Sequence, residues 1–459
     1  MDKVNTLLDK AITYNKSTPI GVVSTDPYNY LLYDRLFDDF RIITEVKQDW
    51  LHDLPLKGQV SWLGKSKQYG TSIGKLLRSK KFIDDFKHDR RRKFVMYSPV
   101  DPPYKINPLA YLMNSPTIAH AYENKRYFRD EFADLIRMPE YEIRYMNELD
   151  RAASYKELHG RHGKFMLQDE ESSGSKGTYA IANHDDYLAA LKSLKKYSRG
   201  RTIVVSKFIK GEPASIQVCI TRYGVFNGGI QRQLLNNKEL SNTQLEGANQ
   251  WCGGEVGVEY PDIVHHQAQE IASVVGSELA SHGYKGIFGV DLIITPDNEL
   301  YAIEINARLT GYSHVISDLQ MQEGKIPFML LHALELGNFK YEVTDVTALP
   351  STGRYKKPAS LLVINNPLDG DLVMKHYVKP GMYRQEGDKV VFVKEACSLK
   401  MLKGEDTMLI MSRHSEGESV ERGRRVLKIM KYGKTMSKSG LNSKAKSTVA
   451  AVKNTFELP

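Results

Sequence analysis

Along the first third of the chain, short apolar runs alternate with stretches of helical spacing. IGVVS at 20–24 and RIIT at 41–44 read as buried strands, and residues 30–37 between them are amphipathic. Strand and helix signals in alternation predict a parallel α/β sheet. Ser115-Pro116-Thr117 then opens an expected helix through Ala119, Tyr122 and Lys125 to Ile136, and Pro139 marks a loop. KFMLQ at 164–168 reads as a strand that opens into a polar Ser/Gly-rich loop at 169–178, with further short strands at 203–205 and 215–218. The spacing of Ile271, Val274, Val275 and Leu279 predicts one helix over 262–282, capped by Gly283. Strands at 288–295 and 300–305 flank the turn Pro296-Asp297-Asn298. Beyond residue 340 the pattern becomes short strands with turns, at 359–364, 389–393 and 408–411, and 423–431 reads as a strand or short helix.

The 459 residues are 41% hydrophobic and 26% charged, a globular balance sufficient for several domains. No run approaches the roughly 18 apolar residues of a membrane span, and the polar N-terminus MDKVNTLLDKAITYNKS lacks an apolar signal core. Cys219, Cys252 and Cys397 lie far apart, which predicts neither disulfides nor a zinc site. These features point to a soluble, cytoplasmic protein. The net charge of +9 is concentrated in residues 422–453, which hold ten Lys or Arg and no acid. Tyr432 is the sole aromatic there, so stacking on single-stranded nucleic acid is poorly supported. The stretch is expected to be a solvated, partly helical tail that does not serve nucleic acid, with Val426, Leu427 and Ile429 suggesting that its first part packs onto the C-terminal domain. His159 and His162, with Glu157 nearby, have a spacing a metal could use, but Gly160 and Gly163 weaken any helix there.

The chemistry concentrates in GIFGVDLIITPDNELYAIEINARLTG, residues 286–311. Glu304 and Asn306 sit two apart on one strand and so share a face. A hairpin brings Asp291 opposite them, and Arg308 continues that face if the strand persists. Two carboxylates and an amide oxygen are hard donors suited to Mg²⁺ (or Mn²⁺), and Arg308 would place positive charge by a phosphate or developing oxyanion. The chain has neither GxxxxGK[ST] nor GxGxxG, which excludes a P-loop or a dinucleotide fingerprint.

The segment resembles the ATP-grasp superfamily, in which a strand bearing Asp or Glu leads through a turn to Glu-x-Asn-x-Arg. The resemblance extends over most of residues 115–315. It implies an ATP-grasp fold, with an N-terminal α/β domain (1–115), the grasp (116–340) and a small β-rich C-terminal domain with the basic tail (341–459). It also implies an ADP-forming ligase that uses ATP and Mg²⁺ to activate a carboxylate as an acyl phosphate for attack by an amine. Its partners would be small-molecule carboxylates and amines rather than a membrane, with self-association left open. Carried over by position, the metal ligands would be Asp291, Glu304 and Asn306, with Arg308 catalytic. The nucleotide would meet Lys125, the strand and loop residues Lys164, Gln168, Ser173, Gly174, Lys176 and Gly177, the hinge Lys207, Phe208 and Ile209, the ribose carboxylate Glu212, and Gln231. The chain departs from the family in having Gln168 where Lys is common, so that Lys164 or Lys176 would have to supply that charge, and in having Ser206 where the hinge usually has Glu. A bicarbonate-dependent carboxylase of the same superfamily, a non-catalytic ATP-binding module and a nucleic-acid-binding protein remain as alternatives.

Overall fold

The computed structural model describes residues 9–459 apart from 10, 16, 25, 45–52, 54–55, 63–72, 103–105, 173–176, 199–201, 242–248, 351–352 and 439. Ile20–Val23, buried at all four positions, reads as a strand covered on both faces. It is the middle strand of a five-stranded parallel sheet ordered Gln59–Trp62, Phe40–Thr44, Ile20–Val23, Lys93–Val95, Tyr111–Leu112. The chain builds outward on one side of Ile20–Val23 and then on the other. This leaves a switch-point crevice at the carboxyl ends of Ile20–Val23 and Lys93–Val95, where α/β sheets characteristically bind ligands. Asp26 and Tyr97 lie just beyond those ends.

The single helix expected over 115–136 is two helices, Pro116–Glu123 and Lys125–Phe132. Asn124 leaves the helical region at φ −68°, ψ 120°, and its side chain accepts the Tyr127 N–H at 3.0 Å. An Asn that can cap a new helix competes with continuation of the old one. The break makes Lys125 the first residue of the second helix.

A four-stranded antiparallel sheet follows, ordered Tyr141–Tyr145, Thr202–Lys207, Phe165–Asp169, Thr178–Ile181. Phe165 and Leu167 pack with Leu158, Tyr187, Leu191 and Leu194 of the helices Ser154–His162 and His184–Tyr197. By strand alternation Met166 and Gln168 face the other way, into a cleft. Gly160 does not interrupt Ser154–His162, contrary to the sequence expectation. The Nε2 of His162 lies 3.1 Å from Glu142 Oε1, so this histidine is held by an ion-pair network rather than poised for a metal.

The other wall of the cleft is a ten-stranded sheet with antiparallel neighbours throughout. Its order is Leu300–Asn306, Gly286–Ile294, Glu212–Thr221, Gly224–Leu235, Trp251–Val256, Ala359–Asn365, Arg425–Tyr432, Thr407–Met411, Gly381–Glu386, Lys389–Lys394. The helix Asp262–Ser281 buries Val264, Ala268, Ile271, Val275 and Leu279 on a helical stripe, and Gly283 beyond its end takes φ +83°. Strands on both sides of residue 340 join at Trp251–Val256 and Ala359–Asn365. That close approach depends on Gly253, at φ +97°, where a Cβ would stand 1.9 Å from Leu361 O.

The structure takes in the basic segment, its first part as Val426, Leu427 and Ile429 suggest and its helical end against the expectation of a solvated tail. Arg425–Tyr432 is an interior strand burying Val426, Leu427, Ile429 and Met430, and the helix Ser443–Phe456 buries Ala445, Val449, Val452 and Phe456. Its outward charges meet acids of the body, Lys444 with Glu405 at 2.8 Å and Lys446 with Glu239 at 3.3 Å. Lys428 is 2% exposed, 2.7 Å from Asn29 Oδ1 and 3.0 Å from Asp26. Arg425 is also paired to Asp26. The apolar positions of the segment outweigh its charges, and of its two buried lysines, Lys428 and Lys431, the more deeply buried Lys428 has a carboxylate to meet.

Burial pushes Lys428 down to about 8 against the pull of Asp26. Burial alone would raise Asp26, but the charges of Lys428, Arg425 and Arg413 hold it well below the usual carboxylate range. Asp26→Asn leaves two cations without their carboxylate and should cost about 3 kcal/mol in urea unfolding at neutral pH, with Asp26→Asn/Lys428→Met recovering much of it. Because the folded-state pKa is lowered, the contribution of Asp26 is complete above about pH 4 and is lost on further acidification. The stability difference between wild type and Asp26→Asn should therefore shrink in that acid range, and again above about pH 8 as Lys428 loses its proton.

Candidate active site

The cleft between the two sheets holds a cavity of ≈ 650 Å³, within the range of small-molecule sites. It is lined by apolar residues, among them Pro139, Met166, Phe208 and Ile209, and by the polar Gln168, Gln233, Asp291, Glu304, Asn306 and Arg308. Tyr97 at the switch point, Trp251, Tyr312 and Arg425 line it as well, so elements from the whole length of the chain converge there.

The hairpin Gly286–Ile294/Leu300–Asn306 places Asp291 directly opposite Glu304. The Asp291 carboxylate accepts from Asn306 Nδ2 at 3.1 Å and from Gln233 Nε2 at 2.9 Å. Glu304 lies 3.2 Å from Lys125 Nζ, which also donates to Ser172 O at 2.5 Å. Burial, then the facing Glu304 charge, push Asp291 well above the usual carboxylate range. Burial acts on Glu304 too, but the Lys125 ammonium outweighs it and keeps Glu304 low. Two buried carboxylates face to face cannot both ionise cheaply without a cation between them. This pair, with the Asn306 amide beside it, has the donor chemistry of a Mg²⁺ site. Among the described residues no group of three or more His, Cys, Asp or Glu is arranged for a metal, so any ion here rests on two carboxylates and an amide.

Two features of the hairpin depart from simple alternation. A bulge interrupts the register after Asp291, so that Ile303 and Glu304, neighbours in sequence, both line the cavity. The strand ends at Asn306 rather than persisting to Arg308, whose N–H turns back to Asn306 O at 2.8 Å. Arg308 reaches the site nonetheless. Its Nη2 donates to Asn306 Oδ1 at 2.6 Å, its Nε lies 3.3 Å from Glu123, and its guanidinium stands 5.7 Å from the Tyr97 ring centre.

The other candidates divide. Lys207, Phe208 and Ile209 line the cavity, although the Phe208 N–H is already given to Lys164 O at 3.1 Å. Lys164 precedes the strand Phe165–Asp169, and its ammonium sits 3.8 Å over the Phe208 ring rather than among the polar groups. Glu212 is not brought into the cavity. It accepts from Tyr260 at 2.5 Å and pairs with Arg232 at 2.6 Å, while its neighbours Gly211 and Pro213 do line the cleft. Gln231 is likewise turned away, buried against Ser215 and Gly229 O; Gln233, two residues on, makes the contact with Asp291. Ser173, Gly174 and Lys176 lie outside the described residues; Gly177, at φ +73°, accepts the Asp169 N–H through its carbonyl at 2.9 Å. Cys252 is buried, and burial raises its thiol, which suits a packing role. Sequence reasoning missed Arg129, which lines the cavity while only 1% exposed. Its position four residues after Lys125 on a short helix was the available signal.

Residues 122–312 match the model of the ATP-grasp domain family. A D-alanine–D-alanine ligase of Petrotoga mobilis is 25% identical over 197 residues, 43% of this chain and 60% of that protein, so the chain spans under two thirds of the curated relative's length. The biotin carboxylase of Campylobacter jejuni, solved as a complex named for β-γ-ATP, has a TM-score of 0.61 at 11% identity, covering 91% of this chain and 88% of that one. An L-amino acid ligase of Bacillus licheniformis has a TM-score of 0.56 at 12% identity, covering 94% and 95%. The hairpin carboxylates and most residues that line the cleft thus lie inside the matched stretch, with Tyr97 and Arg425 outside it, and residues 122–312 form an ATP-grasp domain.

Proposed function

We propose that this protein is an ADP-forming carboxylate–amine ligase. The observation that carries the reading is the facing pair Asp291–Glu304, flanked by Asn306 and Arg308, in a cavity that apolar side chains also line. The matched domain and the ligases among the similar proteins support it. Asp291, Glu304 and Asn306 would hold Mg²⁺, which when bound offsets the phosphate charge of ATP. The lining residues Phe208, Ile209 and Met166 suit a flat aromatic base. In the proposed reaction a substrate carboxylate oxygen displaces ADP from the γ-phosphorus of ATP. The nitrogen of an amine then attacks the acyl carbon, and phosphate leaves with its bonding pair. Catalysis of this kind rests on positioning and charge. Lys125 fixes Glu304, and Gln233 and Asn306 fix Asp291. Arg308, oriented by Asn306 and Glu123, is placed to stabilise the oxyanion at the acyl carbon.

ADP release measured against a panel of carboxylates and amines tests the reading. One ADP and one phosphate should appear per amide formed. ADP formation that instead requires bicarbonate would place the protein among carboxylases, and nucleotide binding without turnover on any pair would make it a binding module. Glu304→Ala should lower turnover by at least about 100-fold while the protein remains folded by circular dichroism, and Asn306→Ala, which removes a neutral donor, by less. Since Asp291 holds a proton to higher pH than an ordinary carboxyl, binding of a divalent cation should release that proton. Cation affinity should then rise by up to about tenfold per pH unit below neutrality and level off above it. Calorimetric titration in buffers of different ionisation enthalpy would detect the released proton.

A further inference from the structure

Of the cations that line or border the cleft, Lys125, Arg308 and Arg425 have carboxylate partners, in Glu304, Glu123 and Asp26, and Lys207 is exposed to solvent. Arg129 has none among the described residues. It is 1% exposed, its Nη1 donates to Lys125 O at 3.1 Å and its Nη2 to Gln168 Oε1 at 2.8 Å, while Nε has no hydrogen-bond partner. Burial lowers it to about 10, partly offset by the charge of Glu304, so it remains a cation at neutral pH. A buried charge whose direct contacts are all neutral dipoles is costly unless something else compensates it. The guanidinium also lines the same cavity as Asp291 and Glu304.

We infer that Arg129 is the polyphosphate-binding cation of this site, presented by the helix Lys125–Phe132 and aimed by Gln168. The inference rests on the nucleotide-dependent reading above and goes beyond it by assigning the phosphate contact. An arginine with free N–H groups matches phosphate oxygens in geometry and charge. Lys125 and Arg129, four residues apart, come from one helix face, the first to Glu304 and the second to the cavity beside it. Gln168 is the acceptor this arrangement needs. A lysine there would set a second ammonium within contact of the guanidinium, whereas the amide oxygen fixes Arg129 and leaves its charge uncompensated for a ligand.

The test is calorimetric binding of ATP, ADP and adenosine, each with Mg²⁺, to the full-length protein. Arg129→Met should raise the Kd for ATP and ADP about 10- to 100-fold, as expected for loss of a charge-assisted contact. Its Kd for adenosine should stay within about threefold, and its melting temperature should not fall, because a costly buried charge has been removed. Wild-type-like ATP affinity in a folded Arg129→Met protein, or equal loss for ATP and adenosine, overturns the inference. Should Arg129→Met fail to fold, the exchange variant Arg129→Met/Gln168→Lys decides. Moving the cation across the 2.8 Å contact should restore ATP affinity to within about tenfold of wild type. Failure of a folded exchange variant to recover nucleotide binding counts against Arg129, and if neither variant folds the conservative Arg129→Lys decides, wild-type-like discrimination between ATP and adenosine supporting the cation and its loss overturning it. A wild-type protein that binds no nucleotide at all would overturn the ligase reading together with this inference, a result distinct from one in which only the variants behave unexpectedly.

Discussion

Two carboxylates held opposite one another on neighbouring strands repel, and a chain that buries such a pair must surround it with partners. Around Asp291 and Glu304 those partners come from four places: Lys125 from a helix N-terminus, Gln233 from a strand two removed in the sheet, Asn306 from the same hairpin and Arg308 from the turn after it. The break at Asn124, the end of the strand at Asn306 and the bulge beside Glu304 all serve to bring these groups to one point. The backbone irregularities of this region thus follow from one electrostatic demand.

What the sequence disclosed was local. The hairpin and its facing acids could be read because strand alternation and a Pro-Asp-Asn turn are short-range signals, and the helix Asp262–Ser281 because its stripe runs over five turns. Misread features depended on competition that periodicity does not register. Asn124 caps better than it continues a helix, Gly160 is tolerated inside a helix held by tertiary contacts, and the bulge shifts which residues face the cavity. Glu212 and Gln231 stand at plausible positions in the order of motifs. Arg232–Tyr260 in one case and Ser215 in the other take their polar groups out of the cleft.

The basic C-terminal segment shows how composition can mislead in the opposite direction. Ten positive charges in a row of residues suggest a face given to water. The apolar run of Val426, Leu427, Ile429 and Met430 decides instead, because the strand they form is buried on both faces and has a carboxylate waiting for its buried Lys428. Arg425 of the same strand lines the cleft, so the segment read as an appendage belongs to the wall of the site.

That strand also bears on how the molecule is made. Arg425–Tyr432 lies between Ala359–Asn365 and Thr407–Met411, and its Lys428 is bonded to Asn29, 399 residues earlier. Contacts so distant along the chain close slowly, because the loop between them must be ordered before the pairing rewards it. During synthesis the parallel N-terminal sheet and the four-stranded lobe can pair from neighbouring segments, but the edge of Ala359–Asn365 stays open until residue 432 has left the ribosome. For that interval the nascent protein presents an unpaired, apolar strand of seven residues, the kind of surface that chaperones cover and that drives aggregation when they do not.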